Sequence, residues 1–171
     1  KVNDAVMNSL KGQPDTQVDV SVYRRSINEV LELPIIRGEV PIKSVSAYYM
    51  IDNVLGYINI ERFARTTYDE FKEALSELME KGMTSLVLDL RGNPGGFMDI
   101  ANRIVDEFLE DDTLIVFTKN NKGQIEEYFA TKDGAFEKGK LYVLIDESSA
   151  SASEIVAGAL KKHHIPVLAR G

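Results

Sequence analysis

The residues best suited to chemistry lie in the run Ser148-Ser149-Ala150-Ser151-Ala152-Ser153-Glu154, which follows an apolar stretch and opens a helical one. A serine hydroxyl at a helix start meets free backbone N–H groups and the positive end of the helix dipole, which favour developing negative charge. A second turn, Arg91-Gly92-Asn93-Pro94-Gly95-Gly96, also lies between a strand-like and a helix-like segment. Its diglycine presents backbone amides with no side chain in front of them, a sound basis for an oxyanion hole. One turn with a nucleophile, Ser151, and another with bare amides at Gly95 and Gly96 point to acyl transfer. The amide of Ala152 is the natural further donor.

A plainer reading competes with this one. Ser151-Ala152-Ser153-Glu154 fits the S-x-x-E capping box, so Ser151 can be explained as a helix cap alone. Alanines at 150 and 152 leave room for a substrate carbonyl, but the G-x-S-x-G elbow of α/β-hydrolases is absent. A serine also needs a base within about 3 Å. Lys161, Lys162, His163 and His164 follow in sequence, yet eleven helical residues span roughly 16 Å. The lysines suit a helix C-terminus and the histidines an exposed position, so the residues alone supply no base. The glycine turn could likewise be only a tight turn, since it fits neither the phosphate-loop nor the dinucleotide pattern. Asp89 and Arg91 are expected to pair with each other or cap loops.

The elements that must carry these turns follow from hydrophobic periodicity. Val2 to Leu10 is spaced like a short helix, Lys11 to Asp15 like a stop and turn, and Thr16 to Tyr23 alternates as a half-buried strand. Ser26 to Tyr49 is β-like, with strands around Val30–Leu33 and Val40–Val45, and Val54–Ile60 is a further strand. Thr67-Tyr68-Asp69-Glu70 matches a capping box before a helix carrying Phe71, Leu75, Leu78 and Met79. Ser85–Leu90 is an almost unbroken apolar run, the kind found in strands covered on both faces. A helix with Ile100, Ile104 and Val105 follows, then a hairpin of 114–118 and 124–130 across the turn at 120–123. A strand at 140–145, a helix at 152–162 and a strand from Ile165 complete the pattern. This alternation predicts an α/β core with a largely parallel sheet, and both turns fall at carboxyl ends of strands, where such sheets hold their sites.

Composition narrows the function classes. The chain has 171 residues, 44% hydrophobic and 27% charged, which suits one domain, or one domain and a fragment. A formal net charge of -7 argues against nucleic acid as the main partner. No apolar run approaches the roughly 20 residues of a membrane-spanning helix, and the first residues carry no leader pattern. With no cysteine and only two adjacent histidines, neither a thiol nucleophile nor a histidine zinc site is expected, and no cofactor.

Three blocks in order, Gly56-Tyr57-Ile58-Asn59-Ile60-Glu61-Arg62-Phe63, Leu88-Asp89-Leu90-Arg91-Gly92-Asn93-Pro94-Gly95-Gly96 and Ser149-Ala150-Ser151-Ala152-Ser153-Glu154-Ile155, resemble the carboxyl-terminal processing proteases. These are the tail-specific serine peptidases of bacteria and organelles, and the likeness spans the chain from about Ile42 onward. It implies a crotonase/ClpP-like protease core at 26–171, preceded at 1–25 by the closing part of a PDZ domain. It implies Ser151 as nucleophile, with Gly96, Gly95 and Ala152 forming the oxyanion hole. The base in this family is a lysine in a G-K-G block on the strand after the serine helix, which the resemblance places beyond Gly171. Residues 1–171 are therefore expected to show little or no peptidase activity. Some members carry an aspartate late in the serine helix, where this chain has Lys161 and Lys162. Glu154 occupies the place of a family glutamate. The resemblance further implies protein substrates with apolar, unstructured carboxyl-terminal tails, a periplasmic or cell-envelope location, and a homo-oligomer as one possible assembly. Two rivals stay open: a catalytically incomplete tail-binding module of the same fold, and a crotonase-like enzyme acting on an acyl thioester.

Overall fold

A computed structural model describes residues 6, 8–38 and 42–170, in two compact units, 1–42 and 43–171. The first unit is built on a hairpin. β1 (Gln17–Arg24) runs antiparallel to β2 (Glu29–Ile36), paired from Gln17↔Ile36 to Arg24↔Glu29. Val18 and Val20 are half-buried, as their alternation predicts, while Val22 is exposed. Pro34 fits inside β2 because a two-stranded ribbon leaves one edge of each strand without ladder bonds. The units part between 42 and 43, and β2 pairs with β1 along its whole length. Of the expected 2–10 helix, residues 2–5 and 7 lie outside the described residues, and 6 and 8–10 are helical.

The second unit runs, in chain order, through β3 (Val45–Met50), β4 (Leu55–Ile60), α1 (Thr67–Glu80) and β5 (Ser85–Asp89). It continues through α2 (Met98–Asp106), β6 (Leu114–Lys119), β7 (Ile125–Phe129), β8 (Lys140–Asp146), α3 (Ala152–Lys162) and β9 (Val167–Arg170). The sheet has the order β3-β4-β5-β8-β9; β3 is antiparallel to β4, and the other three pairings are parallel. Parallel neighbours need long crossovers, and α1 and α3 provide two of them. The α/β core with a mixed, mostly parallel sheet is thus as the alternation predicts. β6 and β7 form a separate antiparallel hairpin across the expected turn.

The core lies between one face of the sheet and the helices. Ile58, Leu86, Leu88 and Val143 meet Phe71, Leu75, Ile104, Val156 and Leu160, all almost completely buried. The opposite face is only half-buried, with Tyr49 and Tyr57 stacked on it at 5.0 Å. That corrects the expectation for 85–90: among the described residues β5 is fully covered on one face only.

Two further expectations shift. The strand expected at Val40–Val45 begins at Val45 instead and runs to Met50, with 39–41 outside the described residues. The capping box expected at Thr67–Glu70 does not form. Thr67 is itself the first residue of α1; its buried hydroxyl accepts the Ala64 N–H (2.8 Å) and donates to the Arg62 carbonyl (3.2 Å). Glu70, released from that box, accepts the N–H groups of Ser44 (2.7 Å) and Val45 (3.0 Å) and so fastens the start of β3 to α1.

Candidate active site

β5 and β8 are adjacent in the sheet, paired from Ser85↔Lys140 to Asp89↔Leu144, so their carboxyl ends deliver the glycine and serine turns side by side. Hydrogen bonds then join the turns. The Leu90 N–H donates to the Leu144 carbonyl (2.9 Å), and the Ser149 hydroxyl donates to the Leu90 carbonyl (2.8 Å). The Gly92 N–H donates to Asp146 Oδ1 (2.9 Å), which also accepts the Ser148 N–H (3.0 Å). Chiefly through the Gly92 bond, against a smaller opposing effect of burial, the Asp146 carboxyl is held below the usual carboxylate range.

Asn93 is the hub, fully buried. Its Nδ2 donates to the Ile60 carbonyl at the end of β4 (2.8 Å), and its Oδ1 accepts the Gly95 N–H (2.8 Å). Its own carbonyl accepts the Ala150 N–H (3.1 Å) and the Ser153 hydroxyl (3.0 Å). One residue therefore ties β4, the glycine turn and the serine turn together. Sequence reasoning passed over Asn93, Ser149 and Ser153, since asparagine and serine in a turn need no explanation beyond the turn.

The diglycine corner lies directly on the serine turn. Gly95 has φ 100°, and a Cβ there would stand 2.6 Å from the Ala150 carbonyl oxygen, 2.7 Å from Ser151 Cβ and 3.0 Å from Ala152 N. Only glycine permits that approach. Gly96, with φ 145°, presses on the Phe63 backbone through a parallel bridge, flanked by bonds from Phe63 N–H to Gly95 O (2.9 Å) and from Phe97 N–H to Phe63 O (2.8 Å). Of the three amides named from the sequence, that of Gly95 is taken by Asn93. Those of Gly96 and Ala152 have no acceptor among the described residues.

Ser151 stands immediately before α3 with φ 55° and ψ -112°, a backbone conformation that L residues other than glycine rarely adopt. The capping explanation is realised in one half. The Glu154 carboxylate accepts the Ser151 N–H (2.7 Å), whereas the Ser151 side chain faces the Glu154 N–H without forming a full cap hydrogen bond. That N–H goes to the Ser151 carbonyl instead (3.0 Å), and Ser151 remains exposed. Among the described residues no lysine or histidine bonds the Ser151 hydroxyl. Lys161 and Lys162 close α3 at its far end, and His163, half-buried rather than exposed, lies 3.1 Å from the Leu114 carbonyl through Nε2.

Behind the glycine turn, Asp89 and Arg91 form the expected ion pair (2.6 Å). Tyr57 donates to Asp89 Oδ2 (2.6 Å), and Asn59 to the Asp89 carbonyl (3.1 Å). Burial works against the Asp89 charge, but Arg91 and Tyr57 outweigh it and keep the carboxyl below its ordinary range. Burial and that same carboxylate push the Tyr57 phenol up to about 12. The network is structural: it seals the end of β5 beneath the turn. Among the described residues no cluster of three or more histidine, aspartate or glutamate side chains is placed to hold a metal ion.

The fold is that of an α/β protein in which the serine and glycine turns lie side by side at the carboxyl ends of parallel strands. The model of peptidase family S41 matches residues 54–169, and the chain belongs to that family. It is 34% identical over 166 residues to the carboxy-terminal processing protease CtpB of Bacillus subtilis, covering 94% of this chain and 34% of that protein. It is 36% identical over 163 residues to a probable CtpA-like serine protease of Staphylococcus haemolyticus, covering 94% of this chain and 32% of that protein. The chain thus spans about a third of the length of these curated relatives. Among solved structures, the photosystem II D1 C-terminal processing protease superposes with a TM-score of 0.68 at 27% identity, over 96% of this chain and 46% of that one. An S41 protease from Bacteroides fragilis, at 21% identity and TM-score 0.65 over 97% and 49%, shares the fold.

Proposed function

We propose that residues 43–171 are the nucleophile-bearing part of a serine endopeptidase that trims proteins near apolar carboxyl-terminal tails. The observation that carries this reading is the strained, exposed Ser151 at the start of α3, packed on Gly95, with the N–H groups of the adjoining residues Gly96 and Ala152 lacking an acceptor among the described residues. A scissile carbonyl carbon would be attacked by Ser151 Oγ as its oxygen takes up charge between those two amides, aided by the α3 dipole. A base would take the hydroxyl proton and return it to the leaving amine; water would then hydrolyse the acyl-enzyme, freeing Ser151. The base of this reading is a lysine supplied from outside residues 1–171, its pKa lowered by burial or a neighbouring charge. Family resemblance supports residues 1–25 as the end of a PDZ domain that presents tails, and a cell-envelope setting. No helix among the described residues is long and apolar enough to cross a membrane.

A serine-directed fluorophosphonate tests the nucleophile. Labelling is expected at Ser151 and is lost in Ser151→Ala, and it rises sharply, together with tail-peptide cleavage, when the chain is extended to include a lysine flanked by glycines. Tail binding with no Ser151-dependent labelling, even in the extended chain, would establish the binding module instead.

A further inference from the structure

Asn102 lies in the middle of α2, between the core residues Ala101 and Ile104, and is only 7% exposed. Both polar atoms of its side chain are shut off from solvent, and neither has a hydrogen-bond partner among the described residues. Asn93, the other buried asparagine of this unit, bonds through both of its side-chain atoms. A primary amide carries two donors and an acceptor, and leaving them unmet inside a protein is costly.

What Asn102 borders is a cavity of about 330 Å³ between α2 and the β6–β7 hairpin, the size of a small-ligand pocket. Ile115, Tyr128 and Phe129 give it apolar walls. Of the polar residues lining it, Asp106 accepts both the N–H and the hydroxyl of Thr131, the latter at 2.9 Å. The Arg103 guanidinium is stacked on the Tyr68 ring, 3.7 Å from its centroid, and Glu127 is exposed to solvent. The buried, unmet hydrogen bonds of the cavity are therefore those of a neutral amide.

That chemistry discriminates between ligands. A carboxylate would meet the Asn102 oxygen with Asp106 and Glu127 lining the same cavity; an ammonium would meet the Asn102 N–H groups with Arg103 lining it. A neutral group that both donates and accepts is matched. A trans peptide unit points its N–H and C=O in opposite directions, so it satisfies one atom of Asn102 and not both. A primary carboxamide presents the two side by side and closes a pair of hydrogen bonds.

We propose that this cavity binds a primary carboxamide on a short aliphatic stem, the amide paired with Asn102 and the stem packed on Ile115 and Phe129. A glutamine side chain of a peptide and a free small amide share that chemistry. The site belongs to α2 and the hairpin, and it stands whether or not Ser151 is a nucleophile.

The test titrates the ¹⁵N-labelled chain with N-acetyl-glutamine methylamide and with propionamide, followed by NMR. Saturable shifts are expected at the Asn102 side-chain NH₂ and at the backbone amides of 102–106 and 127–131, in the millimolar range ordinary for ligands so small. The glutamate analogue and the N,N-dimethyl amide each lack half of the pair and are expected to bind about tenfold more weakly or worse. Tighter binding of the blocked glutamine assigns the site to a peptide side chain, and tighter binding of propionamide to a free amide. Asn102→Leu, close in shape and without polar atoms, is expected to keep its melting temperature and to lose the backbone shifts. The proposal is overturned by the absence of saturable shifts, by an equal response to the dimethyl amide, or by undiminished binding in folded Asn102→Leu. Stronger binding of adenosine, which offers a like donor–acceptor edge on a flat ring, overturns the ligand class. The ligand series needs no variant, so it decides even where Asn102→Leu does not fold.

Discussion

Ser151 holds a conformation that disfavours a non-glycine residue by about 1–3 kcal/mol, and such strain persists only where the surroundings over-determine the backbone. The surroundings here are specific. Glu154 holds the Ser151 N–H, the N–H groups of Glu154 and Ile155 converge on its carbonyl, and Asn93 holds the preceding Ala150. Asn93 also takes the Gly95 amide out of use, which leaves the Gly96 N–H of that corner without an acceptor among the described residues. Asn93→Ala removes two bonds and strands a carbonyl and an N–H in a fully buried place. The expected loss is about 2 kcal/mol in urea unfolding. Ser151 labelling should slow further than partial unfolding explains, once the corner is free to turn. Labelling unchanged in the folded fraction would show that the hub supports the fold and not the site.

At the scale of elements, the same sequence signal has two different outcomes. The S-x-x-E box at Ser151 is half-formed, whereas the T-x-x-E box at Thr67 is not formed at all. The difference lies in what else the acid can reach. Glu154 has the bent-back Ser151 N–H within range, and Glu70 has two N–H donors at the head of β3. Glu70 thereby joins the antiparallel edge of the sheet to α1, and the Thr66 hydroxyl donates to its second oxygen (2.7 Å). Glu70→Gln keeps the shape and weakens charge-assisted bonds, so a loss of about 1–2 kcal/mol is expected by thermal or urea unfolding. Fraying centred on β3, seen as faster amide exchange at Ser44 and Val45, is the local signature; unaltered exchange there would refute the tie.

For the molecule as a whole, the acid limb of stability is set by Glu70, Asp89 and Asp146 together with Asp52, whose carboxyl is held low by the N–H groups of Val54 and Leu55. Glu70, Asp89 and Asp146 sit in separate places, yet each is held below its ordinary value, 4.5 for the glutamate and 3.8 for the aspartates. For Glu70, burial raises the value but is outweighed by the bonds from Val45, Thr66 and Ser44. Since the unfolded chain binds these protons more readily, their contribution is complete above about pH 5 and is lost as pH falls through the folded values. Tyr57 and Tyr68 act in the opposite sense. Burial first, then the carboxylates of Asp89 and Glu107, push both phenols up to about 12 from 10.0. Their contribution is complete below pH 10 and is lost as pH climbs towards 12. Melting temperatures across this range are expected to form a plateau with two falling limbs, the acid limb shallower in Glu70→Gln. Rising stability below pH 4 would contradict the assignment.

The one-dimensional pattern was enough for the element order, because apolar periodicity tracks which face of a strand or helix is buried. It also placed Ser151 at a helix start and the diglycine at a turn, because serine is favoured at the one and glycine at the other. Only the tertiary structure decided which amides lack an acceptor among the described residues, since the Gly95 N–H is claimed by a side chain two residues earlier and the Gly96 N–H is not. It likewise decided that Glu70 serves β3 rather than its own helix, that β2 belongs with β1, and that the buried Asn102 amide has no partner among the described residues. Each of these turns on partners distant in sequence or on the absence of neighbours. Local spacing carries no information about either.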